Sequence, residues 1–184
     1  KKHEDFTKPM EKVKNEIVRY QSERKIIKNT PKYAPSGQST QMIVGASGES
    51  DKDIMYSATY YYKTYNMKRV YYSGYVPVTH DSRLPAIGSQ VPMLRENRLY
   101  QTDWLLRFYG FSIGELLNKQ HPNLDMDVDP KLSWALRNLH HFPVDINKAD
   151  KRLLARIPGI GMQSVDKIMK ARKFRKLNWD HLKK

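Results

Sequence analysis

The chain has 184 residues, no cysteine and a formal net charge of +14 at pH 7. Because there is no thiol, disulfide bonds and thiolate-bound zinc or iron–sulfur clusters are excluded within this chain. No run of about 18 apolar residues and no apolar signal segment is present, so neither membrane insertion nor secretion is predicted, and a cytoplasmic location is expected.

The first half of the chain alternates helical and strand patterns. Apolar side chains recur at three- and four-residue steps from Pro9 onward, which predicts a helix. The apolar run 41–46 predicts a buried strand, Ser50 supplies a cap for a helix that reaches about Tyr65, and the run 69–76 predicts a second strand. This order forms a βαβ unit with parallel strands. Because two strands are too few for a stable sheet, we expect the end of a larger α/β domain whose beginning is absent.

The second half of the chain has only helical patterns. A loop with three prolines, residues 77–92, precedes it. Apolar spacing predicts a helix over 95–109, and capping signals predict a short helix over 112–117 and another over 129–140. We therefore expect an all-α region after the loop.

Near the C-terminus two predicted helices flank residues 157–161, Ile-Pro-Gly-Ile-Gly, here called the Pro-Gly turn. Asn147 is expected to cap the first helix. Gly159 and Gly161 are expected to adopt backbone conformations that are closed to other residues, and Ile160 between them to point inward. The predicted buried sides consist of Ile146, Leu153, Leu154 and Ile157 in the first helix and Val165, Ile168 and Met169 in the second.

The second of these helices is predicted to begin near Met162, where about four backbone N–H groups lack helical acceptors and carry the positive end of the helix dipole. Glycines let a phosphate approach those donors.

Residues 131–184 also contain 14 Lys and Arg against 4 Asp and Glu. Charge alone leaves both a solvated surface and a nucleic-acid patch open. Together these features predict salt-sensitive binding to the DNA backbone without sequence readout. The predicted contact residues are Pro158, Gly159, Ile160, Gly161, Gln163, Ser164, Lys167, Lys170 and Arg172.

The apolar-Pro-Gly-Ile-Gly sequence, followed by small, apolar and basic residues, is similar to the helix-hairpin-helix family of DNA repair and processing proteins. The similarity covers Asp145 to Arg172. It implies a hairpin that binds DNA. Two other interpretations stay open, namely a simple helix–helix turn and a hairpin that docks a protein.

Residues 38–51, 68–78 and 95–111 occur in this order before the hairpin. Together with it they resemble the family of DNA modification and repair radical SAM proteins. The resemblance implies an incomplete (βα) barrel with a [4Fe–4S] cluster and S-adenosylmethionine, and an association with uracil-DNA-glycosylase-like proteins. The family's CxxxCxxC cluster motif has no counterpart here. We therefore expect this chain to be inactive alone, as a fragment of the enzyme or a form without the front half.

The resemblance also implies where S-adenosylmethionine would contact the chain, at the ends of the two strands. The matching residues are Ile43, Gly45, Ala46, Glu49, Tyr75 and Val76. Glycine at the carboxyl end of a strand permits close backbone approach, and α/β sheets bind ligands at those ends. The alternative is that Gly45 only makes the turn. The match to the family's GxIxGxxE signature is imperfect, since Gln41 replaces the first glycine and Glu49 falls one place late.

These patterns predict an α/β plus all-α chain. The resemblance implies that residues 1–92 form the C-terminal portion of a radical SAM-like (βα) barrel, 93–140 a helical connector and 141–184 a helix-hairpin-helix domain. Two functions stay open: the DNA-binding half of a radical SAM modification or repair enzyme, and a non-catalytic DNA-binding or adaptor protein with the barrel remnant as scaffold. No catalytic residue is assigned. No metal site is assigned either, because the adjacent His140 and His141 do not share a helical face.

Overall fold

The computed structural model describes residues 3–89 and 91–182, and the chain divides into two compact units, Lys1–Pro92 and Met93–Lys184. The first unit contains α1 His3–Ile26, β1 Ser39–Val44, α2 Asp51–Tyr65 and β2 Arg69–Gly74. The second unit contains α3 Met93–Phe108, α4 Ile113–Leu116, α5 Pro130–Arg137, a 3₁₀ turn Leu139–His141, α6 Lys151–Leu154, α7 Met162–Ala171 and α8 Trp179–Leu182. In the described ranges, every helix is too short or too polar to cross a membrane.

Strands β1 and β2 pair in parallel, with Ser39 opposite Arg69 and Val44 opposite Gly74. The predicted βαβ connection is confirmed, because α2 lies between the two parallel strands in the chain. In the part of the chain that the structure describes, these two strands form the whole sheet, which is not closed into a barrel. The chain is thus an α/β unit followed by a helical unit.

The two faces of the sheet differ in exposure. Val70 of β2 is buried, whereas the next residue, Tyr71, is exposed. Ile43 of β1 is exposed as well, and on the same face the Gln41 amide donates to the hydroxyl of Ser73 at 2.7 Å. One face therefore contributes to the core of the first unit, and the other is open.

The ends of α2 follow the signals in the sequence. Ser50 is the N-cap, and its hydroxyl accepts from the Asp53 amide while the Asp53 carboxylate accepts from the Ser50 amide. Asn66 ends the helix in the left-handed conformation, with φ of 53°. Both predicted ends of α2 are confirmed. They could be predicted because helix caps depend only on neighbouring residues.

Helix α1 begins at His3, earlier than the start expected near Pro9, so that expectation is wrong. Glu4 and Asp5 lie in its first turn, where carboxylates stabilise the positive end of the helix dipole. Pro9 lies inside the helix. Because proline has no backbone N–H, one helical hydrogen bond is missing there.

Helix α5 ends at Arg137 and a 3₁₀ turn follows, whereas the sequence predicted one helix to about His140. The break lies at Asn138, whose ψ of 41° leaves the helical region. Its side chain donates to the Trp134 carbonyl at 2.8 Å. Asparagine side chains that bind nearby backbone in this way compete with helix continuation.

Candidate nucleic-acid interface

The two helices that flank the Pro-Gly turn are α6 and α7, with four and ten residues. Asp150 caps α6, because its carboxylate accepts from the Leu153 amide at 2.6 Å. The expectation that Asn147 is the cap is wrong. The Asn147 side chain instead forms two hydrogen bonds with the backbone of Leu177, at 2.8 and 3.0 Å. It thereby joins the loop before α6 to the segment after α7.

A small apolar core holds the two helices together. It consists of Leu154, Ala155, Val165, Ile168 and Leu177. Ile157 and Ile160 pack against this core, so the apolar side chains of the Pro-Gly turn point inward, as the sequence predicted for Ile160. The exposed residue of the turn is Gly159, which presents backbone atoms to solvent.

The two glycines of the Pro-Gly turn have different conformations. Gly159 has φ of 80°, in the left-handed region, where any other residue would be strained. Gly161 has φ of −83° and ψ of 164°, an extended conformation that any residue adopts. The expectation of a special backbone conformation is therefore confirmed for Gly159 and wrong for Gly161. A Cβ atom on Gly161 would lie 3.7 Å from the Tyr109 hydroxyl oxygen.

The start of α7 carries a row of unpaired backbone donors. Gly161 is the N-cap residue, and no side chain caps the first turn. The Val165 amide donates to the Gly161 carbonyl at 2.9 Å and begins the helical hydrogen bonds. Within the described residues, the amides of 161–164 have no acceptor. Gln163 and Ser164 are exposed, so an anion from solvent has access to these donors.

A buried lysine holds the Pro-Gly turn from α5. The Lys131 ammonium donates to the Ile160 carbonyl at 2.6 Å and lies 4.9 Å from the centroid of the Tyr109 ring. Lys131 is only 8% exposed. Burial lowers the pKa of Lys131 to about 8, against the opposing effect of the Asp129 carboxylate. The position of the Ile160 carbonyl is therefore set by a charge from a neighbouring helix.

Arg156 is the residue just before the Pro-Gly turn, and its side chain is anchored by several contacts. Its side chain is 4% exposed, and Nη2 and Nε lie 2.6 and 2.9 Å from Oε1 of Glu115. The guanidinium also donates to the carbonyls of Arg152 and Gly110, at 2.9 and 3.1 Å, and lies 4.3 Å from the centroid of the Phe111 ring. This network fixes the end of α6 within the second unit.

The predicted DNA-contacting side chains fall into two groups. Lys167 and Lys170 are exposed on α7, where they remain accessible to a phosphate. Arg172 is partly buried, and its guanidinium donates to the carbonyls of Ile146, at 3.0 Å, and Ala149. Arg172 therefore joins the end of α7 to the loop before α6, a structural role that the sequence did not indicate.

The residues predicted to contact S-adenosylmethionine lie where β1 and β2 end. Because the strands are parallel, these ends share one edge of the sheet, and the Tyr75 amide donates to the Val44 carbonyl at 2.8 Å. Gly45 has φ of 78°, so the turn after β1 favours glycine. The other predicted residues at these ends are Ile43, Ala46 and Val76, of which Ile43 and Val76 are exposed.

The last predicted residue at this edge, Glu49, binds its own loop. Its carboxylate accepts from the amides of Gly45 and Ser47. Burial alone raises the pKa of Glu49, but the hydrogen bonds from Ser47 and Gly45 outweigh it and keep the pKa below the usual value. Glu49 therefore stabilises the turn after β1.

No protein-family model, no curated protein and no solved structure matches this chain. Its function is therefore inferred from its own geometry. Among the described side chains, no group of three or more His, Asp or Glu could hold a metal ion. His140 and His141 are exposed, and their rings contact each other with centroids 4.1 Å apart.

Sequence reasoning missed Lys131 and Arg156, two side chains that determine the geometry of the Pro-Gly turn. Lys131 shares the buried side of α5 with Trp134 and Ala135, so its three- and four-residue spacing from them was a signal of burial. Arg156 has no such local signal. Its partner Glu115 lies 41 positions earlier in the chain.

Proposed function

We propose that the second unit binds the sugar–phosphate backbone of DNA without reading its sequence. The observation that carries this proposal is the row of unpaired amides at residues 161–164, at the positive end of the ten-residue helix α7. A phosphate oxygen accepts hydrogen bonds from such amides and is attracted by the helix dipole. Contacts of this kind position a protein on DNA but carry no information about the bases.

The orientation of one peptide group supports this role. The Lys131 ammonium holds the Ile160 carbonyl, and that carbonyl shares a peptide plane with the Gly161 amide. In a trans peptide the C=O and N–H bonds point in opposite directions. The Gly161 N–H is therefore directed away from the buried lysine. Because Gly161 has no side chain, a phosphate can approach this donor closely.

The capping of three other helices argues against a simple helix–helix turn. Side chains of Ser50, Asp129 and Asp150 cap α2, α5 and α6. A cap of this kind contributes about 1 kcal/mol of stability. Helix α7 alone among these four starts without one. A start left open to solvent fits a site for an external anion better than a purely structural turn.

The charge of the region favours a polyanion over a protein surface. Lys167 and Lys170 are exposed on the same helix, and residues 131–184 contain 14 Lys and Arg against 4 Asp and Glu. Each phosphate neutralised by such a side chain releases counterions, so the affinity for DNA should fall steeply with salt concentration.

The proposal is tested by Gln163→Glu, measured by fluorescence anisotropy with a labelled DNA duplex at low salt. A carboxylate in the first turn of α7 favours the helix but repels a phosphate bound at the same amides. We expect weaker binding by tenfold or more, roughly the effect of losing one good charge contact, in a protein whose thermal stability is equal to or above that of the wild type. Gln120→Glu is the matched control, because Gln120 is exposed in the same unit but outside the hairpin. Equal duplex affinities of the two variants would refute the proposal.

For the whole protein we propose the DNA-binding part of a radical SAM modification or repair enzyme, with a non-catalytic DNA-binding protein as the alternative. The observation that favours the enzyme is the open face of a parallel sheet whose strands end at Val44 and Gly74, directly before Gly45 and Tyr75. The chain contains no cysteine, so its own residues do not fit a thiolate-bound [4Fe–4S] cluster, and we derive no reaction step from one.

Binding of S-adenosylmethionine to this chain distinguishes the two candidates. Saturable binding in equilibrium dialysis that Gly45→Val abolishes would favour the enzyme. Gly88→Val is the control, because Gly88 also has a positive φ, of 94°, but lies in the loop after β2. Binding that Gly45→Val leaves unchanged would remove the support for the enzyme.

A further inference from the structure

The second unit carries an open cleft of about 470 Å³ beside the Pro-Gly turn. Three of its walls are the aromatic side chains of Tyr100, Trp104 and Tyr109, and Lys131 lies at the same cleft. Trp104 is 56% exposed, and its ring contacts Phe108 with centroids 4.4 Å apart. We call this surface the aromatic cleft. Its size falls within the range of roughly 300–1,000 Å³ that is typical of small-molecule sites.

Two side chains that line the aromatic cleft also lie next to the Pro-Gly turn. Tyr109 lines the cleft, and its hydroxyl oxygen lies 3.7 Å from the position that a Cβ atom on Gly161 would take. Lys131 lines the cleft and donates to the Ile160 carbonyl. The cleft is therefore adjacent to Ile160 and Gly161, the two residues that lead into α7.

We propose that the aromatic cleft binds an unpaired nucleobase of the DNA strand whose phosphate lies at the start of α7. This inference rests on the proposed function, because it uses the same bound strand. Every base has a flat face that stacks on tyrosine and tryptophan rings, so such a site accepts a base without selecting its identity. The two sites together define the ligand class as DNA with an unpaired nucleotide next to a duplex.

The polar groups of the cleft fit an uncharged base. Gln101 lines the cleft, and its side-chain oxygen accepts from Arg98 at 3.0 Å, which leaves its NH₂ group to donate to a base edge. Asp129 also lines the cleft, but its carboxylate accepts from the amides of Lys131 and Leu132 at the start of α5. The carboxylate keeps its negative charge, so the base enters the cleft and the phosphate of the strand stays outside it.

A fully paired duplex cannot use this cleft, because its bases are stacked inside the helix. Only a base outside the stack can enter, as in a bulge, a gap or a single-stranded end. The start of α7 should therefore bind any duplex, while the aromatic cleft should add affinity only where a base is unpaired.

Three labelled duplexes of equal length separate these contributions in anisotropy titrations at low salt. One is fully paired, one carries a single bulged adenine, and one carries the same bulge with an abasic nucleotide. The abasic bulge retains the phosphate and the bend but lacks the base. We expect the adenine bulge to bind roughly 5- to 100-fold tighter than the abasic bulge, the range that stacking of one base supports.

Trp104→Ala should remove the difference between the adenine bulge and the abasic bulge and leave the affinity for the paired duplex unchanged. Trp104→Phe keeps an aromatic face and should retain most of the difference. Trp179→Ala is the matched control, because Trp179 is also exposed in the second unit but does not line the cleft. A second readout is the quenching of tryptophan emission by the adenine bulge, which should be lost when Trp104 is replaced by phenylalanine.

The results separate this inference from the proposed function. Equal affinities of the wild-type protein for the adenine and abasic bulges would overturn the inference, whatever the paired duplex shows. The same holds for a preference for the adenine bulge that survives in Trp104→Ala. Failure of Gln163→Glu to weaken paired-duplex binding would instead count against the proposed function.

Discussion

The Nη2 atom of Arg156 lies 2.6 Å from Oε1 of Glu115, and this pair joins the residue before the Pro-Gly turn to α4. The other oxygen of Glu115 accepts from the Ser112 amide at 2.8 Å, so one carboxylate holds the start of α4 as well. Burial alone raises the pKa of Glu115, but the hydrogen bonds from Ser112 and Arg156 outweigh it and keep the pKa below its usual value. The carboxylate is therefore charged at neutral pH and pairs with Arg156.

Arg156→Ala should destabilise the second unit by about 3 kcal/mol, because it leaves the Glu115 carboxylate without its buried partner. Urea unfolding followed by circular dichroism measures this change. The control is Arg152→Ala. Arg152 also approaches Glu115, at 3.5 Å, but its side chain is 69% exposed. Its loss should cost roughly 0.5 kcal/mol or less, because water screens exposed ion pairs. Similar losses in the two variants would contradict a central role for the buried pair.

The stability of the protein should rise with pH between about 8 and 10.5 because of Lys131. Burial lowers the pKa of this lysine to about 8 in the folded state, from an ordinary value of 10.5. Below pH 8 both the folded and unfolded states carry the proton, and the folded state bears the cost of a buried charge. Between the two values the unfolded state holds more protons, so the free energy of unfolding increases with pH, by on the order of 3 kcal/mol in total.

The measurement is the difference in pH dependence between the wild-type protein and Lys131→Met, by urea unfolding across this pH range. The apolar side chain of methionine does not titrate, and the tyrosines that titrate at high pH are common to both proteins. Parallel stability curves would show that Lys131 is not buried as described.

The two glycines of the Pro-Gly turn should respond differently to alanine. Gly159→Ala should cost about 1 kcal/mol or more, because a Cβ atom is strained at φ of 80°. Gly161→Ala should change stability by about 0.5 kcal/mol or less, because its φ of −83° suits any residue. The second variant should nevertheless bind duplex DNA more weakly, since its methyl group lies beside the unpaired amides. Thermal unfolding and anisotropy titrations distinguish the two effects, and equal stability losses would contradict them.

Local signals in the sequence were sufficient for much of the fold. The Ser50 cap, the Asn66 end of α2 and the parallel pairing of β1 and β2 follow from neighbouring residues and from the order of elements. The inward packing of Ile160 follows from its position between two glycines in a turn that joins two amphipathic helices.

The sequence was insufficient where residues far apart in the chain decide the outcome. Asn147 and Asp150 are both good N-cap residues, and the choice between them depends on Leu177, which binds the Asn147 side chain from 30 positions away. In the same way, the role of Arg172 depends on carbonyls of the loop before α6. Local spacing carries no information about such partners.

The most direct measurement of the central claim is an NMR titration of the ¹⁵N-labelled protein with a paired DNA duplex at low salt. If a phosphate binds at the start of α7, the amides of residues 161–164 should show the largest chemical-shift changes, and their shifts should reverse when salt is added. Lys167 and Lys170 should show smaller changes on the same helix. Large shifts elsewhere on the surface, with residues 161–164 unmoved, would contradict the account.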